Sequence, residues 1–508
     1  MDQAHRTRYD ALTARDPRFD GVFFVGVTST GIYCRPVCRV RTPKSANCRF
    51  FDTAQEAEQA GFRPCLRCRP ELAPGNAPVD DAQRIAQSIV QRLEQGQLDE
   101  EAGLDAIADQ FELSARQVRR IVQSELGVPP MQLLLTRRLL LAKQLLTETS
   151  WPMTDVAFAS GFASVRRFND AFVRRYRMPP TRLRAYARAG APSPLHAGGT
   201  SVLQLSYRPP FDWQGILAFL GARALAGVEQ VTEQAYARTV GIGAARGWIR
   251  VTAAPQRDAL LLELAHSLTP VLPALLARVR ALFDLDARPD VIAKRLRKDP
   301  RLAAAVKAHP GLRVPGAFGG FELTVRAILG QQITVKAATT IAGRFAAAFG
   351  EPIVTALPGL HRLAPVPSRI ASASVSDIAR CGIVSARARS IVGLAQAHVD
   401  GTLDFDSGAQ HDPDAAMARL AAIPGIGAWT AHYIAMRAMR WPDAFPKEDL
   451  VVRRNLGGVS PRDAEALSQA WRPWRSYATL HLWRMTPKRA VATPKAAAAR
   501  SRVVAATD

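Results

Sequence analysis

The sequence lacks the segments by which proteins enter or cross membranes. Its 508 residues contain no run of about 18 consecutive apolar residues, so a transmembrane helix is not expected. The N-terminus, MDQAHR, is polar and has no apolar segment of the kind found in secretory signals. We therefore expect a cytoplasmic protein that has no membrane partner.

Acidic residues are scarce relative to basic ones. The chain has 44 Asp and Glu against 67 Lys and Arg, a formal net charge of +23. A field of that sign favours polyanionic partners, nucleic acid first among them, although a solubility feature or a bias toward arginine is an alternative. The hydrophobic share of 48% is typical of globular proteins, and roughly 150 residues per domain predicts three or four domains.

Cysteine is also rare, and its distribution is uneven. Five of the six cysteines fall within 35 positions. Two close pairs, Cys34-x3-Cys38 and Cys65-x2-Cys68, are separated by 26 residues and could close a tetrahedral zinc site from separate turns. Four free cysteines are the alternative. Cys48, which lies alone between the pairs, is expected to be a buried apolar thiol.

The residues around these pairs resemble a known family. Residues 23–38 (FFVGVTSTGIYCRPVC) and 60–68 (AGFRPCLRC) are similar to the N-terminal domain of the adaptive-response regulator Ada, and the match covers about residues 7–75. The resemblance implies that Cys34 irreversibly accepts a methyl group from a methylphosphotriester in DNA, with a purely structural zinc ribbon as the alternative. The loss of one negative charge would then favour DNA binding. The implied zinc ligands are Cys34, Cys38, Cys65 and Cys68.

Two turn–helix units follow the cysteine cluster. Ser114 and Ser164 are candidate N-caps, and Gly161 suits the tight turn before Ser164. Phe168 and Phe172 would share one buried helix face. The pattern resembles the AraC-type double helix-turn-helix over about 100 residues, with a solvated charged face as the alternative. The candidate groove contacts are Arg116, Arg119, Arg166 and Arg167.

A Gly-rich turn near residue 425 predicts contact with DNA phosphate. Gly425 and Gly427 allow close backbone approach, and the next helix would present free N–H groups. About 20 residues downstream lies 445–454, FPKEDLVVRR. Together these segments resemble the helix-hairpin-helix glycosylase superfamily, whose catalytic Asp would be Asp449, with a helix N-cap as the alternative role. The resemblance implies a monovalent cation at the hairpin carbonyls, and Glu448 is expected to be a surface charge.

Residues 201–490 more narrowly resemble 3-methyladenine DNA glycosylase II, the AlkA type. The matching segments are 207–213 (YRPPFDW), 324–332 (TVRAILGQQ) and 471–477 (WRPWRSY). The resemblance implies hydrolysis of the N-glycosidic bond of alkylated bases of the 3-methyladenine and 7-methylguanine type. A preorganised carboxylate would stabilise the cationic sugar. The implied base pocket, for which core packing is the alternative, is Phe219, Trp429, Tyr433 and Trp483.

The sequence departs from this superfamily at three positions. Trp429 stands where members that also cut the DNA backbone carry Lys, so no Schiff base is expected there and base excision alone is implied. Leu450 follows the catalytic position, where the best-known relative has Tyr. Gln332 is polar at the position that fills the gap left by a flipped base. The departures at Leu450 and Gln332 leave the exact substrate range open but not the predicted reaction. The Pro-Cys-His-Arg site of the alkylguanine methyltransferases is absent.

The predicted fold class is multidomain α+β and mostly α. The expected domains are an Ada-like zinc α/β domain (1–78), a double helix-turn-helix domain (79–188), a linker (189–200), an α+β subdomain (201–320), an all-α helix-hairpin-helix glycosylase domain (321–490) and a disordered tail (491–508).

The predicted function is a monofunctional DNA glycosylase coupled to a methylphosphotriester-sensing transcription activator. One alternative is a glycosylase whose N-terminal domains only deliver it to DNA; another is a regulator with an inactive glycosylase domain. The expected partner is double-stranded DNA, both alkylated and operator, and RNA polymerase is a further candidate. We expect a monomer in the bacterial cytoplasm, associated with the nucleoid.

Overall fold

The protein is described by a computed structural model. It describes residues 3–15, 19, 23–38, 40–51, 56–57, 60–65, 67–68, 86, 89–90, 92, 105, 108, 113–189, 200–403, 405 and 413–485. The predicted tail 491–508 and most of the first turn–helix unit before Leu113 lie outside these residues. None of the described helices is long and apolar enough to cross a membrane.

The N-terminal region combines one helix, α1 (Gln3–Ala14), with a small sheet. The sheet contains β1 (Phe24–Val27), β2 (Ile32–Cys34), β3 (Cys48–Phe51) and β4 (Arg63–Pro64) in the order β3-β1-β2-β4. The β1 strand pairs antiparallel with both β2 and β3, whereas β2 and β4 run parallel. The ends of β2 and β4 therefore lie side by side, which brings the two cysteine pairs together.

Five helices form the second region. They are α2 (Ala115–Leu126), α3 (Pro130–Glu148), α4 (Met153–Ala159), α5 (Val165–Tyr176) and α6 (Pro180–Ala189). The α3 helix bridges the two turn–helix units, because its N-terminal half packs with α2 and its C-terminal half with α4 and α5.

Local capping explains where these helices begin. Ser114 caps α2 in a capping box, and the Ser164 side chain accepts a hydrogen bond from the third residue of α5. Gly161 has a φ of +86°, as a tight left-handed turn requires. Phe168 and Phe172 are fully buried with ring centroids 5.6 Å apart. The structure thus has the caps, the turn and the buried face expected from the sequence.

A five-stranded antiparallel sheet begins the third region. Its strands are β5 (Thr200–Ser206), β6 (Glu229–Val231), β7 (Ala235–Ile242), β8 (Ala245–Ala253) and β9 (Ala259–Ala265), in the order β5-β9-β8-β7-β6. Helix α6 ends at Ala189 and β5 begins at Thr200, so both ends of the predicted linker belong to regular elements; the residues between them lie outside the described ranges.

The second helix-turn-helix unit packs on the edge of this sheet. Gln144 Nε2 donates to the Gln204 carbonyl at 2.8 Å, and the Gln204 N–H donates to Glu148 Oε2 at 2.9 Å. Trp151 Nε1 also donates to Ser201 Oγ. Since β5 is an edge strand, these side chains satisfy backbone groups that would otherwise need water. Buried side chains from both regions form one hydrophobic cluster.

The rest of the chain is helical, as predicted from Phe321 onward. The helices from Pro289 onward pack into a large core that includes the fully buried Trp471 and Phe445, whereas the helices at 213–221 and 272–282 bury their apolar faces in the cluster shared with the sheet. The helices are α7 (Trp213–Gly221), α8 (Leu272–Leu282), α9 (Pro289–Leu296), α10 (Pro300–Ala308), α11 (Gly320–Leu329), α12 (Val335–Phe349), α13 (Pro367–Ala371), α14 (Val375–Ala379), α15 (Ser385–Val399), α16 (Pro413–Ala421), α17 (Ala428–Arg437), α18 (Leu450–Asn455), α19 (Pro461–Ser468) and α20 (Arg475–Arg484).

Candidate active site and metal centre

The four cysteines predicted as zinc ligands form one cluster. Cys34 ends β2, Cys65 follows β4, and Cys38 and Cys68 lie in the turns beyond them. Their Sγ atoms all lie within 4.8 Å of one another, and three of the four residues are buried. Cys48 is also buried, and its Sγ contacts the Lys44 carbonyl rather than the cluster.

The chemistry of this donor set fits zinc. A hydrogen bond with Cys68 raises the pKa of Cys34, and the same contact lowers the pKa of Cys68 to about 6. Burial raises the pKa of Cys38 to about 11. The sulfurs thus compete for protons, and a divalent cation at their centre would keep them as thiolates. The Arg35 backbone N–H donates to Cys68 Sγ at 3.4 Å, the kind of outer contact that orients a ligand.

A cavity of about 970 Å³ lies in the glycosylase-like region. Five residues predicted for catalysis and base binding line it: Asp449, Trp429, Tyr433, Trp483 and Phe219. They come from three separate helices and the start of a fourth, so the fold brings together side chains that are up to about 260 positions apart in sequence. Gly425, Gly427 and Gln332 also line the cavity.

Asp449 is held by four N–H donors. It is the N-cap of α18, where its Oδ1 accepts from Val451 N at 2.9 Å and Val452 N at 2.8 Å. The Trp483 Nε1 donates to Oδ1 at 3.1 Å, and the Trp429 Nε1 donates to Oδ2 at 2.8 Å. The carboxylate is only 8% exposed, and Oδ2 keeps an unused lone pair. Asp449 can therefore cap α18 and at the same time present a carboxylate oxygen to the cavity.

The aromatic side chains form one wall. Trp429 and Tyr433 are four residues apart on α17, with nearly parallel rings and centroids 5.3 Å apart. Tyr433 and Trp483 are tilted by 39° at 6.2 Å. A base sandwiched between two rings needs about 7 Å, twice the stacking distance. A bound base must therefore lie against a face of this wall rather than between Trp429 and Tyr433.

Guanidinium groups line the side of the cavity near Phe219. The Arg223 guanidinium lies 3.9 Å from the Phe219 ring centroid and the Arg437 guanidinium 4.8 Å from it. Arg437 Nη1 donates to the Tyr433 hydroxyl at 2.6 Å. Burial works against ionisation of Tyr433, but Arg437 and Arg223 outweigh it and lower its pKa. The cavity thus combines aromatic faces and cationic N–H donors with the carboxylates of Asp449 and Glu448.

A buried ion network supports this side of the cavity. Arg326 pairs with Glu229 at 2.9 Å and with Glu322 at 3.3 Å, and Arg238 pairs with Glu322 at 2.8 Å. The two arginines and two glutamates cancel in charge, and buried charges need such partners to offset the loss of hydration. Arg326 also donates to the Arg223 carbonyl, so the network connects strands β6 and β7 with α11 and the end of α7.

The hairpin before α17 has the glycine geometry that the sequence predicts. Gly425 has a φ of +89°, and a Cβ there would lie 2.3 Å from Ser390 Oγ. Gly427 is the N-cap of α17, whose first N–H groups are therefore available to an anion. Both glycines are exposed, which suits contact between backbone and a DNA phosphate.

Four family models match successive parts of the chain. Their descriptions are the metal binding domain of Ada (residues 7–71), a helix-turn-helix domain (107–186), the AlkA N-terminal domain (202–319) and the HhH-GPD superfamily base excision DNA repair protein (325–475). The cysteine cluster lies within the first of these regions, and Asp449 and Trp429 lie within the last.

One relative matches the whole arrangement. The "Probable bifunctional transcriptional activator/DNA repair enzyme AlkA" of Mycobacterium tuberculosis (strain CDC 1551 / Oshkosh) is 40% identical over 479 residues, which are 94% of this chain and 95% of the relative. The chain belongs to this family.

Two relatives from Escherichia coli (strain K12) match separate parts of this bifunctional AlkA family member. DNA-3-methyladenine glycosylase 2 is 37% identical over 279 residues, which are 55% of this chain and 95% of that protein. The bifunctional transcriptional activator/DNA repair enzyme Ada is 40% identical over 123 residues, which are 24% of this chain and 33% of that protein.

Some features of this family member were not predicted. Glu448 is not the surface charge expected from the sequence, because it lines the cavity and its Oε2 is buried without a hydrogen-bond partner among the described residues. Arg223 and Arg437 gave no sequence signal, since no motif separates them from other arginines, and Arg326 lies in the matching segment 324–332 but was not singled out there. The predicted groove contacts, all exposed on α2 and α5, are Arg116, Arg119, Arg166 and Arg167.

Proposed function

We propose that the protein is a monofunctional DNA glycosylase for alkylated bases of the 3-methyladenine and 7-methylguanine type, coupled to a methylphosphotriester-sensing transcription activator. One observation carries the proposal: Asp449 lies buried in an aromatic cavity beside a hairpin suited to phosphate. The paired helix-turn-helix units and the charge of +23 suit a protein that acts on double-stranded DNA.

In the proposed reaction, Asp449 acts on the sugar. An N-alkylated purine carries a positive charge and leaves readily, so the sugar becomes cationic in an oxocarbenium-like transition state. The free lone pair of Oδ2 offers a fixed negative charge to that cation and can orient the attacking water. Water's oxygen bonds to the anomeric carbon as the glycosidic bond breaks, the base leaves with the bonding electron pair, and the water gives up one proton to the Asp449 carboxylate or to solvent.

The aromatic wall favours a cationic base. The faces of Trp429 and Tyr433 carry negative quadrupoles, which attract a cation more than a neutral ring. The guanidinium of Arg326 is balanced by Glu229 and Glu322, so it opposes such a base less than a free charge would. Arg223 and Arg437 also line the cavity, and the Arg437 guanidinium is held in place by the Pro315 and Gly316 carbonyls and the Tyr433 hydroxyl.

Trp429 favours hydrolysis of the glycosidic bond without cleavage of the DNA backbone. Strand cutting through a Schiff base needs an amine beside the sugar, and Trp429 offers an indole N–H already bonded to Asp449. Methylated duplex DNA should therefore yield free base and an abasic site with an uncut backbone. Borohydride should trap no covalent adduct; an adduct would point to an amine, with the neighbouring Lys447 as the first candidate.

The cysteine cluster would act as the sensor. Zinc bound by Cys34, Cys38, Cys65 and Cys68 would keep the thiolates reactive at neutral pH. The Cys34 sulfur would attack the methyl carbon of a methylphosphotriester, and the methyl–oxygen bond would break to leave a phosphodiester. The resulting thioether has one negative charge fewer than the thiolate, which weakens repulsion from DNA.

A glycosylase that is only delivered to DNA by its N-terminal domains is the second candidate. The docking of α3 on the β5 edge favours it, because this contact fixes the second helix-turn-helix unit to the glycosylase part. It predicts no change in operator binding after Cys34 methylation. A regulator with an inactive glycosylase is disfavoured, since the Asp449 site has all of its elements.

We also propose finer features from the family resemblance. Carbonyl groups of the hairpin around Gly425 would hold a monovalent cation together with a DNA phosphate. The activator would contact RNA polymerase, and the protein would act as a monomer in the bacterial cytoplasm, on the nucleoid. The domain boundaries proposed from the sequence are 1–78, 79–188, 201–320 and 321–490.

A further inference from the structure

The turn between α11 and α12 projects Gln332 at the mouth of the cavity. Gln332 is exposed and has a φ of +57°, in the left-handed region that non-glycine residues seldom adopt. Backbone strain of this kind concentrates at functional sites. A base that enters the cavity leaves a gap in the duplex, and a strained side chain at the entrance is well placed to occupy that gap.

The preceding residue, Gln331, connects this turn to the hairpin. Its Nε2 donates to the Gly425 carbonyl at 2.7 Å and to Thr430 Oγ1 at 3.0 Å. Gly425 is the left-handed glycine of the hairpin, and Thr430 is buried in the first turn of α17. Arg387 separately donates to the Gln331 backbone carbonyl. The backbone of the turn is therefore held independently of the Gln331 amide.

We propose that Gln331 is a positioning residue that couples phosphate binding at the hairpin to insertion of the Gln332 turn into the duplex. The inference rests on the proposed glycosylase function. Both Nε2 hydrogens are directed at the hairpin segment, so the turn keeps a fixed place relative to the phosphate contact. Gln331 is not a hydrogen-bond partner of Asp449, whose donors are Trp429, Trp483, Val451 and Val452.

Because Gln331 does not hydrogen-bond to Asp449, loss of its side-chain amide should affect base extrusion but not bond cleavage. Loss of the Gln331 amide should slow the extrusion of a base from the duplex, and it should leave cleavage of an already extruded base unchanged. A residue with a merely structural role would slow both reactions alike, because both need the folded cavity.

The test is single-turnover release of 7-methylguanine by the full chain with saturating enzyme. Gln331→Met keeps the length of the side chain but removes both hydrogen bonds. It should lower the rate about tenfold when the lesion is paired with cytosine, the usual size of effect for one or two neutral hydrogen bonds. With the same lesion in a single-nucleotide bulge, where pairing is already lost, the rate should stay within about twofold of wild type.

A matched control is Gln214→Met. Gln214 is exposed, and its Nε2 also donates to a backbone carbonyl, that of Glu233 at 3.0 Å, but it does not line the cavity. This variant should match wild type on both substrates. Gln331→Glu, which keeps the shape and loses the N–H donors, provides a second variant should the methionine disturb folding, as thermal unfolding would reveal.

Equal losses on paired and bulged substrates, or no loss on either, would overturn the coupling. Failure of the proposed glycosylase function would give a different result, because the wild-type protein would then release no methylated base from either substrate. Thr430→Val removes one of the two acceptors and should give a smaller loss with the same preference for the paired substrate.

Discussion

The indole Nε1 of Trp429 donates a hydrogen bond to Oδ2 of Asp449 at 2.8 Å. The residue that the sequence predicts to stand where strand-cutting glycosylases carry a Schiff-base lysine thus orients the carboxylate proposed for catalysis. Trp483 donates to the other oxygen at 3.1 Å, so two cavity-lining indoles fix the carboxylate from one side while the α18 N-terminus fixes it from the other. Aromatic binding surface and carboxylate orientation therefore come from the same side chains.

Methylation of Cys34 should strengthen binding to operator DNA. The change from thiolate to thioether removes one negative charge, and the repulsion between one such charge and a DNA phosphate through water is worth about 1 kcal/mol, or several-fold in affinity. The measurement compares methylated and unmethylated full-length protein by titration at low salt, with mass spectrometry to locate the methyl group on Cys34. Equal affinities would favour the delivery function instead. Methyl transfer to Cys38, Cys65 or Cys68 would contradict the assignment of the acceptor.

Trp151→Ala should separate the second helix-turn-helix unit from the sheet. Trp151 is buried, donates to Ser201 Oγ, and meets the His266 ring edge-on at 5.7 Å. Removing a buried tryptophan typically costs about 3–5 kcal/mol. We expect the unfolding of this unit to shift below that of the glycosylase part in calorimetry. Phe158→Ala in α4, the helix that follows Trp151, is the control, because Phe158 is 54% exposed; similar shifts in both variants would argue against the contact.

Local features of the fold could be predicted from sequence, whereas contacts between distant segments could not. The spacing of Cys34, Cys38, Cys65 and Cys68 indicates a cluster, and Ser114 and Ser164 cap helices by rules that operate within a few residues. No local pattern pairs Arg326 with Glu229, which lie about 100 positions apart, because such pairs form only after the strands and helices pack. The expectation for Glu448 was wrong for the same reason, because the cavity that it lines forms only when distant segments pack together.

His481 should make stability sensitive to acid. Burial lowers the pKa of His481 to about 4, so the folded protein keeps the ring neutral. The unfolded chain takes up a proton near pH 6.5, so this contribution is fully present above pH 6.5 and is lost as the pH falls toward 4. The loss amounts to about 3 kcal/mol at most.

The measurement for His481 compares urea unfolding of wild type and His481→Leu between pH 4 and 7.5. Wild type should lose more stability than the variant as the pH falls. Asp284, whose pKa burial raises to about 6, acts in the opposite direction but is present in both proteins and cancels in the difference. Parallel pH profiles for the two proteins would show that His481 is not held neutral by burial.

The most direct test of the proposed reaction is the rate of 3-methyladenine release by Asp449→Asn under single-turnover conditions. The amide keeps the shape of the side chain but cannot offer a negative charge to the developing sugar cation. Loss of one preorganised electrostatic contact typically costs on the order of 100-fold or more in rate. DNA binding should be largely retained, because the hairpin and basic side chains supply most of the affinity. We predict near-complete loss of base release with intact DNA binding; near-normal release by Asp449→Asn would contradict the account.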